Sequence, residues 1–139
     1  YARDVGRMVG TDNINDMYKF KTPALRNVSL TAPYGHNGAY PTLKSIIKHH
    51  LNPIKMNKNW KPEYANLPKA PWLEEIDFVT FSDKREQDRI LSSIDIQPIE
   101  LNDKEIHELV SFLESLTGRS GNQRPLGKPD KVPSGLSID

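Results

Sequence analysis

Residues 20–43 read FKTPALRNVSLTAPYGHNGAYPTL, and this stretch decides how the chain folds. It is rich in turn-forming residues and has little helical periodicity. Its middle part, residues 31–38, combines a proline and two glycines with polar and aromatic residues. Glycine adopts backbone angles that other residues avoid, and proline removes a hydrogen-bond donor. We therefore expect residues 31–38 to form an ordered loop with special backbone angles, not a β-strand.

A helix is predicted directly after this stretch, from about Thr42 to His50. Thr42 is a suitable N-cap, and Asn52-Pro53 ends the helix. The apolar positions follow the i, i+3, i+4 spacing and are Leu43, Ile46 and Ile47. The next position on that face, at i+7, is His50, so its ring should point where the isoleucines point. His49 falls on a different face and is expected to lie in solvent.

The strongest helix prediction covers residues 103–117. Asn102 is the N-cap, and Glu105 stands at the capping-box position. One apolar stripe runs along the helix through Ile106, Leu109, Val110, Leu113 and Leu116. Gly118 is placed to be the C′ residue. Residues 119–139, rich in glycine, proline and serine, are expected to be an extended or disordered tail.

Residues 53–100 are predicted to be a long connection. A short helix is expected around residues 81–92, with Ser82 as its N-cap. Aromatic and proline anchors punctuate the segment at Trp60, Pro62, Tyr64, Pro68, Pro71 and Trp72. An irregular connection of this length is unusual in a compact domain, so we expect it to pack over something as a lid or a docking surface.

The composition limits the possible functions of the chain. Its 139 residues suit one domain, and with 36% hydrophobic and 27% charged residues we expect another segment, chain or cofactor to complete the core. A net charge of +1 and the absence of a basic run among aromatics argue against binding of nucleic acid. There is no cysteine, which excludes thiolate chemistry and a C-x-x-C-H haem attachment within this sequence. No membrane span or signal peptide is visible, and the start at Tyr1 suggests a fragment or a processed product.

Four side chains are candidates for a binding site. His50 is either a core histidine with one hydrogen bond or an axial haem ligand, since imidazole in an apolar wall binds haem iron. His36 lies in the run Gly35-His36-Asn37-Gly38. Either its ring turns inward and hydrogen-bonds a buried acceptor, or it simply packs within the loop. Arg26 and Lys21 either pair with haem propionates or are ordinary surface charges.

The ordered motif resembles the signature of bacterial di-haem cytochrome c peroxidases and their methylamine-utilisation relatives. The typical form is F-K-T-P-x-L-R-N-V, then L-T-x-P-Y-x-H-D-G, then T-L, against residues 20–28, 30–38 and 42–43 here. Residues 101–118 are similar to the last helix of that family, and Asp4, Gly6 and Arg7 resemble its D-x-G-R approach. The resemblance covers most of residues 4–50 and 101–118.

The resemblance implies roles for several positions. His50 matches the distal ligand of the second haem, which is Met in the peroxidases and Tyr in the methylamine-utilisation enzyme. The backbone carbonyls of Thr31 and Pro33 match positions that help to hold calcium between the two haem domains. His36 matches the loop histidine near the haem edge, where an orienting role is expected. Asn37 replaces the usual Asp.

The fold expected is therefore mostly α, with residues 1–118 as the C-terminal portion of a cytochrome c-like haem domain with long irregular loops. The haem c would be attached through an N-terminal haem segment or chain that is missing here, and the fragment alone should be inactive. The implied activity is reduction of hydrogen peroxide with electrons from a small c-type cytochrome or cupredoxin, in a periplasmic protein for which a monomer and a homodimer are both open. The alternatives are a di-haem oxidase that modifies a protein substrate through high-valent iron, and a haem-free interaction module or remnant.

Overall fold

The computed structural model describes residues 3–67, 70–73 and 76–118, which are mostly helical. The α-helices in this part of the chain are α1 (Met8–Thr11), α2 (Leu43–Leu51), α3 (Pro53–Asn59), α4 (Val79–Ser82), α5 (Lys84–Ser92) and α6 (Asp103–Ser115). Short 3-10 helices lie at Ile14–Asp16, Val28–Leu30 and Pro62–Tyr64. The predicted mostly-α class with irregular loops is confirmed. The predicted tail at 119–139 lies outside the described residues, and the boundary at residue 118 stays a prediction.

Helix α2 begins and ends where the sequence predicts. The Thr42 side chain accepts a hydrogen bond from the Ser45 backbone N–H, and the Ser45 hydroxyl in turn receives the Thr42 N–H, which forms a capping box. Asn52 ends α2, but its side chain also caps α3 by accepting from the Lys55 N–H at 2.9 Å. Pro53 therefore begins a helix that the sequence analysis missed, because proline is well tolerated in a first turn, where its missing N–H has no partner to lose.

The predicted helix around residues 81–92 is present as α5, but its predicted N-cap is wrong. Asp83 is the N-cap, and its carboxylate accepts from the backbone N–H groups of Arg85 and Glu86. Ser82 is instead the last residue of α4. A carboxylate at a helix N-terminus gains from the helix dipole as well as from the hydrogen bonds, and this favours Asp83 over the neighbouring serine.

The capping box predicted for α6 is confirmed. Asn102 accepts from the N–H of Glu105 at 3.0 Å, and the Glu105 carboxylate receives the Asn102 N–H at 2.8 Å. The predicted C′ role of Gly118 is wrong, because Leu116 already caps the helix. Gly118 instead donates its N–H to the Asn27 side chain at 2.8 Å. This bond joins the end of α6 to the residues that precede α2, 20–42, which we call the central loop.

The core lies where α2, α6 and the central loop meet. Tyr34, Tyr40 and Leu43 are buried together, and partly buried residues pack against them: Val28, Ala39, Ile46, Met56, Trp60, Val110 and Leu113. Tyr34 and Tyr40 exchange two backbone hydrogen bonds of 2.7 and 3.0 Å across the loop. Gly35 and Gly38 adopt positive φ values of 83° and 64° inside it. The ordered loop with special backbone angles is thus confirmed.

The long segment after α3 packs on the core through Trp60. The Trp60 indole N–H donates to the Ala39 carbonyl at 2.9 Å, and the ring contacts those of Phe78 and Phe81. Trp72, also predicted to be an anchor, is 79% exposed. The segment therefore packs through part of its length only.

Among the residues that the structure describes, no helix combines the length and apolar character needed to cross a bilayer.

Candidate functional site

The C-terminal end of α2 carries two adjacent histidines in different surroundings. His49 is half-buried, and its Nδ1 lies 2.9 Å from the Tyr40 hydroxyl. Burial, and secondarily the charge of His50, lower the pKa of His49 below its ordinary value. The expectation that His49 faces solvent is wrong, because the loop before α2 brings Tyr40 back against this face of the helix.

His50 is exposed, and its ring makes no hydrogen bond within the described ranges. The nearest ring is that of His49, at an edge-on centroid distance of 5.8 Å. Helical period places His50 on the side of Ile47, which is buried, but at the helix end that face is no longer covered by residues that the structure describes. The alternative of a core histidine satisfied by one hydrogen bond is therefore wrong for this part of the chain.

His36 contacts a carboxylate from the N-terminal part of the chain. Its Nε2 lies 2.6 Å from Oδ2 of Asp4, and its ring stacks on Phe20 at 3.8 Å. The other Asp4 oxygen accepts the Gly6 N–H at 3.1 Å. The hydrogen bond with His36 is the main cause that lowers the pKa of Asp4. Both side chains are about half exposed. His36 therefore bonds an exposed acceptor, and the alternative in which it bonds a buried one is wrong.

The remaining predicted site residues lie in the exposed segment that precedes α2. Arg26 and Lys21 are exposed, and neither forms an ion pair within residues 3–67, 70–73 and 76–118. Thr31 and Pro33 are also exposed, and their carbonyl oxygens accept no hydrogen bond from the described residues. Both carbonyls are thus available to a ligand.

No group of three or more His, Asp or Glu side chains capable of holding a metal ion occurs in the described part of the chain. Any metal bound here would need ligands beyond those side chains.

Sequence reasoning missed the buried carboxylate of Glu86, which is 2% exposed. Tyr18, Arg3 and Arg89 all bond to it. Beside this cluster lies an open groove of about 480 Å³ between residues 14–19 and the end of α5. The spacing of Glu86 and Arg89 signals a helical pair, but no local pattern signals that the pair is covered by residues far away in sequence.

Comparison with curated proteins gives several relatives. Over 106 residues the chain is 37% identical to the methylamine utilization protein MauG of Paracoccus denitrificans, covering 73% of this chain and 23% of that protein. It is 51% identical over 47 residues to the cytochrome c peroxidase Ccp of Escherichia coli, covering 34% of this chain and 10% of the relative. A match of 38% over 58 residues to the cytochrome c551 peroxidase of Nitrosomonas europaea covers 42% of this chain and 17% of the relative.

The chain thus spans less than a quarter of the length of these relatives. No protein-family model and no solved structure matches it. The relatives nevertheless belong to the same family that the motif of residues 20–43 resembles. The chain therefore belongs to the family of di-haem cytochrome c peroxidases and MauG proteins.

Proposed function

We propose that this chain forms the distal wall of a c-type haem in a di-haem peroxidase that reduces hydrogen peroxide. The electrons would come from a small c-type cytochrome or cupredoxin in the periplasm. The observation that supports the proposal is the imidazole of His50, which is exposed and makes no hydrogen bond within the described residues. The resemblance implies that this position supplies the distal ligand. Because the sequence has no cysteine, the thioether bonds of this haem would be made by another segment or chain.

The surroundings of His50 fit an axial ligand. A ligand nitrogen must have a lone pair that is not engaged in an internal hydrogen bond, and His50 meets that condition within the described residues. It lies in the last turn of α2, whose start is fixed by the capping box at Thr42, so its backbone belongs to a regular helix. Helix α2 in turn packs on α3 and α6, so the ligand stands on a supported element.

When bound, the haem would supply one-electron redox chemistry. His50 would be the residue of this chain that holds the haem iron, and its ring would keep water and peroxide from the side that it covers. A nitrogen donor in place of the thioether of the peroxidases should lower the reduction potential. His50 thus favours a haem that is stable in its oxidised form.

The loop residues would orient the haem edge. Arg26 and Lys21 are exposed and form no ion pair with the described residues, so they are suited to bind propionates. His36 is held by Asp4 and Phe20, which fixes the ring while leaving about half of it accessible. Its role in this proposal is to orient a neighbouring group at the haem edge.

Calcium is the second cofactor proposed. Thr31 and Pro33 offer two hard carbonyl oxygens that accept no hydrogen bond from the part of the chain that the structure describes. Calcium takes six to eight oxygen ligands, so most of its shell would come from water and from the domain that carries the other haem. In this arrangement the ion couples the two haem domains.

A second candidate is a di-haem oxidase that modifies a protein substrate. It is favoured by the MauG match, which extends over 106 residues, whereas the peroxidase matches cover 47 and 58. The two functions can be separated in the full-length, haem-loaded protein. Fast oxidation of reduced cytochrome c on addition of peroxide supports the peroxidase, and slow oxidation with a long-lived spectral change supports the oxidase.

The ligand role is tested by His50→Ala in the full-length, haem-loaded protein. We expect the low-spin electron paramagnetic resonance signal of one haem to be lost. His107→Ala, which removes an exposed histidine of α6, is the matched control and should leave the signal unchanged. An unaltered spectrum in His50→Ala would show that iron is not bound there.

A further inference from the structure

Positive and negative side chains are separated along the chain, although the net charge of the whole chain is only +1. Residues 17–62 contain eight Lys and Arg residues and no Asp or Glu. Residues 63–118 contain thirteen Asp and Glu residues and five Lys and Arg residues. The small net charge therefore hides a strongly basic segment, which includes all of α2 and α3, followed by an acidic one.

Four lysines of the helix pair α2–α3 have no acidic partner in the described part of the chain. Lys48, Lys55, Lys58 and Lys61 are exposed, and none of them forms an ion pair there. Lys55 and Lys58 lie three residues apart and share the exposed side of α3. Helix α3 packs on α2, and Asn52 both ends α2 and caps α3. We call these four lysines the lysine set.

The lysine set costs stability instead of adding to it. Like charges three or four residues apart on a helix repel each other, so Lys55 and Lys58 weaken α3, which has only seven residues. Lys44, in contrast, is compensated by its ion pair of 3.4 Å with Asp103. A concentrated charge of one sign speeds the association of a molecule of the opposite sign. The lysine set therefore fits a binding surface for an anionic partner.

Two features favour an acidic protein over a partner that carries phosphate groups. All four cations of the set are lysines, whereas the planar guanidinium of arginine suits phosphate better because it bonds two oxygens at once. Ile54, four residues before Lys58 on the same side of α3, is 37% exposed. An apolar side chain beside charges is typical of a protein interface, where apolar contacts are surrounded by a polar rim.

We propose that the lysine set is the docking surface for a redox protein whose contact face is acidic. The inference rests on the proposed function, because the same helix pair carries His50, the proposed haem ligand, in the last turn of α2. It adds to that function the sign of the charge that the small c-type cytochrome or cupredoxin must carry where it docks.

The first test measures binding to the full-length, haem-loaded protein by titration calorimetry with two probes. One is a basic cytochrome c, and the other is the same cytochrome after succinylation of its lysines, which makes it acidic. The succinylated probe should bind about tenfold more tightly than the basic one at low salt, and about tenfold more weakly when salt is raised tenfold, because salt screens exposed charges. Equal or weaker binding of the succinylated probe would overturn the proposal.

The second test asks whether binding depends on these lysines or on net charge alone. Lys55→Glu/Lys58→Glu should raise the Kd of the succinylated cytochrome about tenfold, because repulsion replaces attraction at the contact. Lys84→Glu/Lys104→Glu is the matched control, since it changes the net charge equally but alters exposed lysines of α5 and α6. The control should change the Kd less than about twofold. Equal effects of the two double variants would contradict docking at the lysine set.

A variant that only removes charge protects this test against misfolding. Lys55→Gln/Lys58→Gln should raise the Kd of the succinylated cytochrome about threefold, because attraction is lost but no repulsion is added. Circular dichroism of each variant shows whether its helices are retained. If the charge-reversed variant loses helix content, the glutamine variant decides, and an unchanged Kd in it counts against the proposal.

Two further outcomes separate this proposal from its alternatives. Double-stranded DNA or phosphatidylserine vesicles could bind the full-length protein more tightly than the succinylated cytochrome and lose that binding in Lys55→Glu/Lys58→Glu. The surface would then serve a partner that carries phosphate, and the proposal would be overturned. If the reduced succinylated cytochrome binds as expected but is not oxidised when peroxide is added, the docking surface for an acidic protein stands and the proposed peroxidase function fails.

Discussion

The Tyr18 hydroxyl donates a hydrogen bond of 2.5 Å to Oε1 of Glu86, a residue 68 positions further along the chain. The other carboxylate oxygen of Glu86 lies 2.7 Å from Nε of Arg3 and 3.1 Å from a guanidinium nitrogen of Arg89. Glu86 is 2% exposed, so these donors replace the water that the carboxylate loses on folding. Tyr18 has a φ of 59°, which is costly for a residue other than glycine, and its bond to Glu86 holds it in that conformation.

Replacement of Glu86 by Gln should loosen the N-terminal segment from α5. The amide keeps an acceptor for Tyr18 but lacks the charge that Arg3 and Arg89 bind. We expect a loss of about 1–3 kcal/mol in the free energy of unfolding and faster hydrogen exchange in residues 3–19. Glu108→Gln, which removes an exposed partner of Lys104, should cost less than about 0.5 kcal/mol. If the two variants lost the same free energy of unfolding, Glu86 would not be what holds the N-terminal segment against α5.

The lowered pKa of Glu86 makes the stability of the protein depend on pH. Burial by itself raises the pKa of Glu86, but the hydrogen bonds from Tyr18 and Arg89 and the charges of Arg3 and Arg89 together hold it below its ordinary value of 4.5. A pKa lowered in the folded state contributes stability that is complete above the ordinary value and is lost as pH falls through the folded value. The stability difference between the native protein and Glu86→Gln should therefore be constant near neutral pH and shrink below pH 4.5. Urea unfolding of both proteins across this range measures it, and a difference that persists at low pH would refute this assignment.

The sequence predicted the features that depend on neighbouring residues. Thr42 and Asn102 are predictable as N-caps because the capping side chain and the backbone N–H from which it accepts lie within one turn. The central loop is predictable for the same reason, since its glycines permit positive φ and its prolines fix φ wherever the loop is placed. Asp83 and Ser82 are adjacent and both are good caps, so their order could not be decided from composition alone.

Contacts between distant parts of the chain could not be predicted. Nothing in the sequence shows that Tyr18 meets Glu86, or that Glu86 is buried. The same limit applied to the histidines of α2: helical period placed His50 with the isoleucines, but exposure depends on what covers the helix end. His49 was expected in solvent because Tyr40, nine residues earlier, returns against it through a loop whose path the pattern does not specify.

Removal of the imidazole of His36 should raise the pKa of Asp4. The hydrogen bond with His36 is the largest cause that lowers this pKa below its ordinary value of 3.8. In His36→Leu, which supplies no donor, we expect the midpoint of the Asp4 carboxyl titration, followed by carbon-13 NMR, to move upward toward that value. His107→Leu in α6 provides the control and should leave it in place. An unchanged midpoint in His36→Leu would mean that the pair does not form in solution.

Calcium should bind to the full-length protein through the carbonyl oxygens of Thr31 and Pro33, and its removal should destabilise the protein. A ligand that binds only the folded state stabilises it by about 2.7 kcal/mol at a concentration one hundred times its dissociation constant, so chelation should lower the unfolding midpoint. Because backbone carbonyls remain after any side-chain substitution, the ligands are best identified by carbon-13 shifts of these two carbonyl groups during a calcium titration. Magnesium is the matched control, since it prefers a smaller, rigid octahedral shell and releases water reluctantly. If the carbonyl shifts of Thr31 and Pro33 do not move while calcium raises the unfolding midpoint, the ion binds elsewhere in the protein.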